Sequence, residues 1–109
     1  MSIFCSHVAL VAAVEEREKP VTVGGARYIV IRPEAAEVAF AVIDQYQGQG
    51  IGTALMRHLV MIARDAKLQE LIAEVLPENT SMLAVLQKCG LQFTLKRESR
   101  VVHLTLKLG

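Results

Sequence analysis

The hydrophobic positions of the chain first change period after Asp44, and that change divides a strand-rich first part from a second part that carries helices as well as strands. Residues 7–14 form a short continuous apolar run, followed by the charged stretch 15–19 and Pro20, which predicts a strand ending in an exposed turn. Gly24 and Gly25 punctuate the chain. Tyr28, Ile29, Val30 and Ile31 then supply the aromatic and β-branched residues of a second strand over 26–31, closed by Pro33 and Glu34. A third strand is expected over 37–43. Connections this short favour antiparallel neighbours, so the three strands read as a meander.

Beyond Asp44 the period becomes helical. Leu55, Met56, Leu59, Val60 and Ala63 recur at helical spacing and predict an amphipathic helix over 53–66. Residues 67–69 turn the chain into an apolar strand over 70–76, so strand, helix and strand form a right-handed crossover with parallel strands. Pro77 ends that strand. Glu78 or Asn79 starts a short helix with Met82, Leu83 and Leu86 on one face and Gly90 at its C-terminal cap. Residues 93–95 and 101–108 complete a hairpin, the latter alternating as Val102, Leu104, Leu106 and Leu108. The expected fold class is α/β of the α+β kind: a mixed sheet with an antiparallel meander, a β-α-β crossover, a short helix and a C-terminal hairpin.

Composition narrows the function classes. With 109 residues, 52% of them hydrophobic, the chain is expected to build one core and one domain over 1–109. A formal charge of +1, with a basic cluster only at Lys96, Arg97 and Arg100, offers no broad cationic footprint, so no nucleic-acid partner is expected. Cys5 and Cys89 lie far apart and neither belongs to a CxxC, which fits a reducing cytoplasm better than a disulfide scaffold. The apolar opening lacks a basic leader and is interrupted by Ser6 and His7, so it reads as a strand; no segment is long enough to span a bilayer, and no membrane partner is expected. His7, His58 and His103 show no metal-like spacing, and no metal is expected.

The chemistry concentrates in Gln47, Gly48, Gln49, Gly50, Ile51, Gly52 and Thr53, between a strand and a helix start. Amides at a helix N-terminus lack intrahelical partners and the dipole there is positive, while glycines let the backbone turn tightly and let a phosphate approach. The spacing is GxGxG, one residue shorter than the GxGxxG of dinucleotide folds, and the loop follows a meander instead of opening a parallel sheet. Glu70 and Glu74 lie near the distance of a ribose-binding acid, which keeps a nucleotide-binding oxidoreductase as a third reading. Thr53 follows Gly52 without the lysine of a Walker A loop.

The run Ala36-Glu37-Val38-Ala39-Phe40-Ala41-Val42, the motif Gln47-x-x-Gly50-x-Gly52, Asn79 and the ending Lys88-Cys89-Gly90-Leu91 together resemble the GNAT superfamily of N-acetyltransferases over about residues 27–93. Within it the chain looks most similar to bacterial protein lysine acetyltransferases that modify acyl-CoA synthetases. The resemblance implies acetyl-CoA as cofactor and an amine, such as a protein lysine, as acceptor. It implies that the backbone of Phe40, Ala41 and Val42 pairs with the pantetheine arm like an added strand, and that the amides from Gly48 through Gln49, Gly50, Ile51 and Gly52 to Thr53 hold the pyrophosphate. Gln47 matches the leading Gln or Arg of the motif. Asn79 matches a residue that contacts the cofactor near its sulfur, and an ordinary helix N-cap explains it equally well.

A lysine acceptor, with an unperturbed pKa of about 10.4, must lose a proton before it attacks. Glu37 matches the acidic residue that serves as base in lysine-acetylating members, directly or through water; the alternative is an exposed carboxylate at a strand end. Glu74 is the reserve base. Where many members carry a tyrosine acid on the last helix, this chain has Leu86, so a base-only mechanism is expected, by direct attack in a ternary complex. Cys89, at the apolar end of a helix with no base beside it in sequence, reads as packing and not as a nucleophile. Family members begin with a strand and two helices that wall the acceptor groove, and the chain is expected to start after them. The groove would then be completed by a homodimer or another chain, or the chain would be a catalytically idle acyl-CoA-binding module.

Overall fold

The extended segments form by alternation and pairing, and the core lies on the one face of the sheet that the long helix covers. In a computed structural model the structure describes residues 7–43, 46, 48 and 50–109. The strands are β1 (His7–Glu16), β2 (Lys19–Arg32), β3 (Ala35–Val42), β4 (Glu70–Val75), β5 (Gln92–Glu98) and β6 (Val101–Lys107), with helices α1 (Ile51–Asp65) and α2 (Thr80–Gln87). They build one mixed sheet in the order β1-β2-β3-β4-β6-β5, with β3 and β4 parallel and every other pair antiparallel. The meander, the crossover, the short helix and the hairpin all stand in the expected order.

One face of the sheet is apolar. Ala36 and Val38 of β3, Leu71, Ala73 and Val75 of β4, and Val102, Leu104 and Leu106 of β6 alternate toward α1. Leu55, Met56, Leu59, Val60 and Ala63 are the buried stripe of α1, and each large side chain among them contributes about 1.5–3 kcal/mol by leaving water. Tyr28 of β2 and Leu86 of α2 are also fully buried. On the opposite face, Ile29, Glu37, Ala39 and Ala41 are exposed, and among the described residues no helix covers them. No helix among those residues is long and apolar enough to cross a membrane.

Strand β2 is longer than the pattern of hydrophobic residues suggests. Gly24 and Gly25 do not interrupt it; they lie inside it, in register with Val42 and Ala41 of β3. A Cβ on Gly24 would stand 2.8 Å from the Ala41 carbonyl oxygen, so these glycines mark a close approach of two backbones, at an irregularity of the β1–β2 register between Ala12 and Ala13. The turn after β1 is likewise shorter than the charged stretch suggests. It is confined to Arg17 and Glu18, both at positive φ, and Pro20 belongs to β2 opposite Glu15. Pairing with β3 starts only at Gly24, so the N–H that Pro20 lacks interrupts no ladder on that side. Similarly, β3 starts at Ala35, α1 at Ile51 and β5 runs on to Glu98.

Candidate functional site

The site begins where the parallel β3–β4 ladder stops. Strands β3 and β4 pair from Ala35↔Glu70 to Val38↔Ala73, yet β3 continues to Val42 and β4 to Val75. Neighbouring strands that stop bonding while both run on must diverge into a wedge, and beside its β3 edge lies a cleft of about 230 Å³ that α1 and α2 also line. Phe40, Ala41 and Val42 form its β3 side; on their other edge they are in register with Ala26, Gly25 and Gly24 of β2. Among the described residues none of β4 is in register with β3 beyond Val38, so Phe40 and Ala41 border the cleft on the side away from β2.

The glycine loop closes one end of the cleft. Gly48 and Gly50 both have φ of +82°, a conformation that costs an L-residue about 1–2 kcal/mol. A Cβ at either position would meet nothing within 4 Å, so the space beside the loop is open. Gly50 is the N-cap of α1, no side chain caps the helix, and its first turn contains no acidic residue. The first intrahelical bond runs from the Ala54 N–H to the Gly50 carbonyl at 2.9 Å. The amides of Ile51, Gly52 and Thr53 therefore have no intrahelical acceptor, and no acidic side chain in the first turn offsets the positive end of the dipole. Gln47 and Gln49 lie outside the described residues. Gly52 plays a packing part too: its Cβ would stand 3.3 Å from Val85 Cγ2, so the missing side chain lets α2 approach α1.

Helix α2 forms the remaining wall. Asn79 is its N-cap, with Oδ1 accepting from the Met82 N–H at 3.2 Å, and Asn79 also borders the cleft. The cap exists, and it leaves the residue beside the cavity where a cofactor contact is expected. Sequence reasoning did not single out Tyr46, Ser81 and Val85, which also line the cleft. Ser81, Val85 and Lys88 fall at positions i, i+4 and i+7, a stripe of α2 that could have been noticed as distinct from its apolar face. Nothing in the sequence marked Tyr46, which donates its N–H to the Ile43 carbonyl at 2.8 Å.

The two candidate bases share the open face of the sheet. Glu37 is exposed, in register with Ile72, one residue before the last β3–β4 pair. It forms no ion pair among the described residues, and it is not one of the residues that line the cleft. Glu74 is different: its Oε1 lies 3.6 Å from His103 Nδ1, whose Nε2 is 3.7 Å from Glu98 Oε2. Further out on β5, the hydrogen bond between Lys96 and Glu98, 2.7 Å long, raises the lysine pKa and lowers that of the glutamate. Leu86 is sealed in the core, and Cys89 is half-buried with Sγ donating to the Leu86 carbonyl at 3.0 Å, as a packing residue would be.

Residues 4–91 match the acetyltransferase (GNAT) family. A stretch of 55 residues, half of this chain, is 44% identical to acetyltransferase Pat of Mycolicibacterium smegmatis and spans 16% of that protein. The crystal structure of the GNAT domain of S. lividans PAT superposes with a TM-score of 0.80 at 32% identity, over 94% of this chain and 61% of that one. The cAMP-binding acyltransferase from Mycobacterium smegmatis matches with a TM-score of 0.80 at 29% identity, over 98% of this chain and 33% of that one. The chain thus spans less than two thirds of each of these relatives.

Proposed function

Because the chain belongs to the acetyltransferase (GNAT) family, we propose that it is an N-acetyltransferase that passes an acetyl group from acetyl-CoA to a primary amine, a protein lysine above all. The observation that carries this reading is the junction of the β3–β4 wedge with an uncapped, glycine-built helix start. A thioester on a long, thin arm ending in a diphosphate needs both features side by side: an edge to lie along and unpartnered amides to bind the phosphates. The open space beside Gly48 and Gly50 fits that group, since any side chain there would stand in the way of the phosphates.

In this reading the backbone of Phe40, Ala41 and Val42 holds the pantetheine arm as an added strand. Gln47, Gly48, Gln49, Gly50, Ile51, Gly52 and Thr53 grip the diphosphate through the loop, and Asn79 borders the sulfur end. Bound acetyl-CoA supplies an acetyl group activated as a thioester, whose thiol, with a pKa of about 8.5, departs readily as thiolate. Peptide N–H groups of β3 polarise the carbonyl. Glu37 removes the proton of the incoming ammonium, directly or through a water, and the amine then attacks within a ternary complex. No acid is needed at Leu86. The chain works as one GNAT domain in the cytoplasm, and a second copy or another chain completes the wall over the exposed face around Glu37.

Glu37→Gln tests the base. It keeps the shape and removes the basicity, so turnover should fall by about 10²–10⁴-fold while acetyl-CoA affinity is unchanged. Mass spectrometry of a panel of amines and proteins incubated with acetyl-CoA reads the product. Unchanged turnover in Glu37→Gln transfers the role to Glu74. A chain that binds acetyl-CoA and acetylates nothing in the panel would be an acyl-CoA-binding module, a reading that the uncovered face around Glu37 favours. Thermal stabilisation by NAD and not by coenzyme A would remove both.

A further inference from the structure

The six-stranded sheet has two edges, and their chemistry is opposite. The edge at β5 carries Lys96, Arg97 and Glu98 within seven residues, the kind of charge with which an exposed strand discourages another from joining it. The edge at β1 is ten residues long, has charges only at its last two positions, Glu15 and Glu16, and contains no lysine, arginine or proline. From Val8 to Val14 it is apolar without interruption. The register irregularity beside it places the extra residue, Val23, on β2, so β1 keeps its alternation. Val8, Leu10 and Ala12 pack against the core and hold the strand in place, while Ala9, Val11 and Ala13 lie on the open face, Val11 being 69% exposed. Within the sheet Val11 lies opposite Gly25, which offers it no side chain to pack on. Among the described residues no strand pairs with the outer side of β1.

We propose that this edge takes a second copy of the chain, strand against strand and antiparallel, with Val11 on the two-fold axis. Only an axis perpendicular to the sheet sets an edge strand antiparallel beside its own copy, and that axis keeps each face on its own side. A residue of β1 therefore meets one that points to the same face, which leaves few registers to consider. Centred on Leu10, His7 would meet Ala13 and both glutamates would overhang; centred on Ala12, Glu15 would meet Ala9 and Glu16 would meet Val8. Centred on Val11, every residue from 7 to 15 is used. Val8 then meets Val14, Ala9 meets Ala13, Leu10 meets Ala12, and His7 meets Glu15 at both ends. Apolar side chains face apolar ones, and the two polar positions face each other, with an imidazole N–H able to donate to the carboxylate. The pairing gives Val11 the neighbour that Gly25 does not supply. It joins the two sheets with their open faces on the same side, so the second copy widens the face that bears Glu37 and leaves it uncovered.

Sedimentation equilibrium of the whole chain over a range of concentrations should show a monomer–dimer equilibrium. Val11→Lys sets two like charges side by side at the axis and should weaken association by about a hundredfold or more. The side chain lies outside the core, so circular dichroism should show the fold unchanged. Thr94→Lys, a matching charge on the β5 edge, should leave the dimer intact. An exchange of the end residues reads the register: His7→Glu and Glu15→His should each weaken the dimer severalfold, and the double variant should restore it. A chain that stays monomeric at every concentration overturns the proposal. So does a dimer that survives Val11→Lys, one that dissociates in Thr94→Lys, or one that the double exchange fails to restore. Slow hydrogen exchange along the outer side of β1 in a monomeric chain would assign that edge to another segment of the same chain and overturn it equally. None of the substituted residues lines the cleft, so the cofactor reading stands or falls separately.

Discussion

The two ends of α1 are finished in opposite ways. At its C-terminus every device for closing a helix is present. The Lys67 N–H donates to the Arg64 carbonyl and the Leu68 N–H to the Ala63 carbonyl, both at 3.0 Å, with Lys67 in the left-handed conformation at φ +66°. Arg64 ties the same turn to the end of the sheet through the Leu108 carbonyl. At the N-terminus every such device is missing: no capping side chain, no acid in the first turn, and a glycine at the cap. A helix that served only to cover the core would gain from a Ser, Asp or Thr cap, worth about 1 kcal/mol. The asymmetry separates an end that ties the helix to the fold from an end whose N-cap offers no side chain to the first amides.

Gly50→Glu should break the contrast most severely. A left-handed glutamate strains the loop by about 1–2 kcal/mol and adds a charge that repels the diphosphate, so coenzyme A affinity should fall by about a hundredfold or more. The core lies away from the open space at this position, so the fold should persist, and circular dichroism with calorimetry reads both halves of the claim. Arg64→Met acts on the closed end. Losing the bond to Leu108 should cost about 1 kcal/mol of stability in urea unfolding and leave cofactor affinity unchanged. Thr53→Asp gives the smallest effect and the sharpest contrast of sign. An acid in the first turn should stabilise the ligand-free chain by about 0.3–1 kcal/mol, while weakening coenzyme A binding severalfold. Equal or tighter binding in Thr53→Asp would mean that the helix start does not serve the phosphates.

Local pattern was enough for much of this molecule. The stripe Leu55, Met56, Leu59, Val60 and Ala63 specified both the helix and its buried face, because a period of 3.6 can be satisfied only by a helix lying on something apolar. The alternation of Val102, Leu104 and Leu106 likewise specified the inward face of β6. The glycine loop was legible for the same reason. Left-handed φ at Gly48 and Gly50 and close approach at Gly52 are backbone demands that only glycine meets, so they appear directly as residue type.

Gly24 and Gly25 show where that logic ends. The same residue type signals a turn or the collision of two backbones inside a sheet, and only the presence of β3 at Ala41 decided for the second. The cleft itself had no local signature, since it exists because the β3–β4 ladder stops at Val38↔Ala73. Residues of α2 reach the glycine loop only through the crossing of two helices, which brings Ser81, Val85 and Lys88 against Gly52 and Thr53. Sequence alone therefore determined which segments are helix or strand, which faces are apolar and where a backbone could receive an anion, because each is a short-range property of the chain. The cleft beside that loop and the open face bearing Glu37 depend on which distant residues become neighbours, and folding alone decides that.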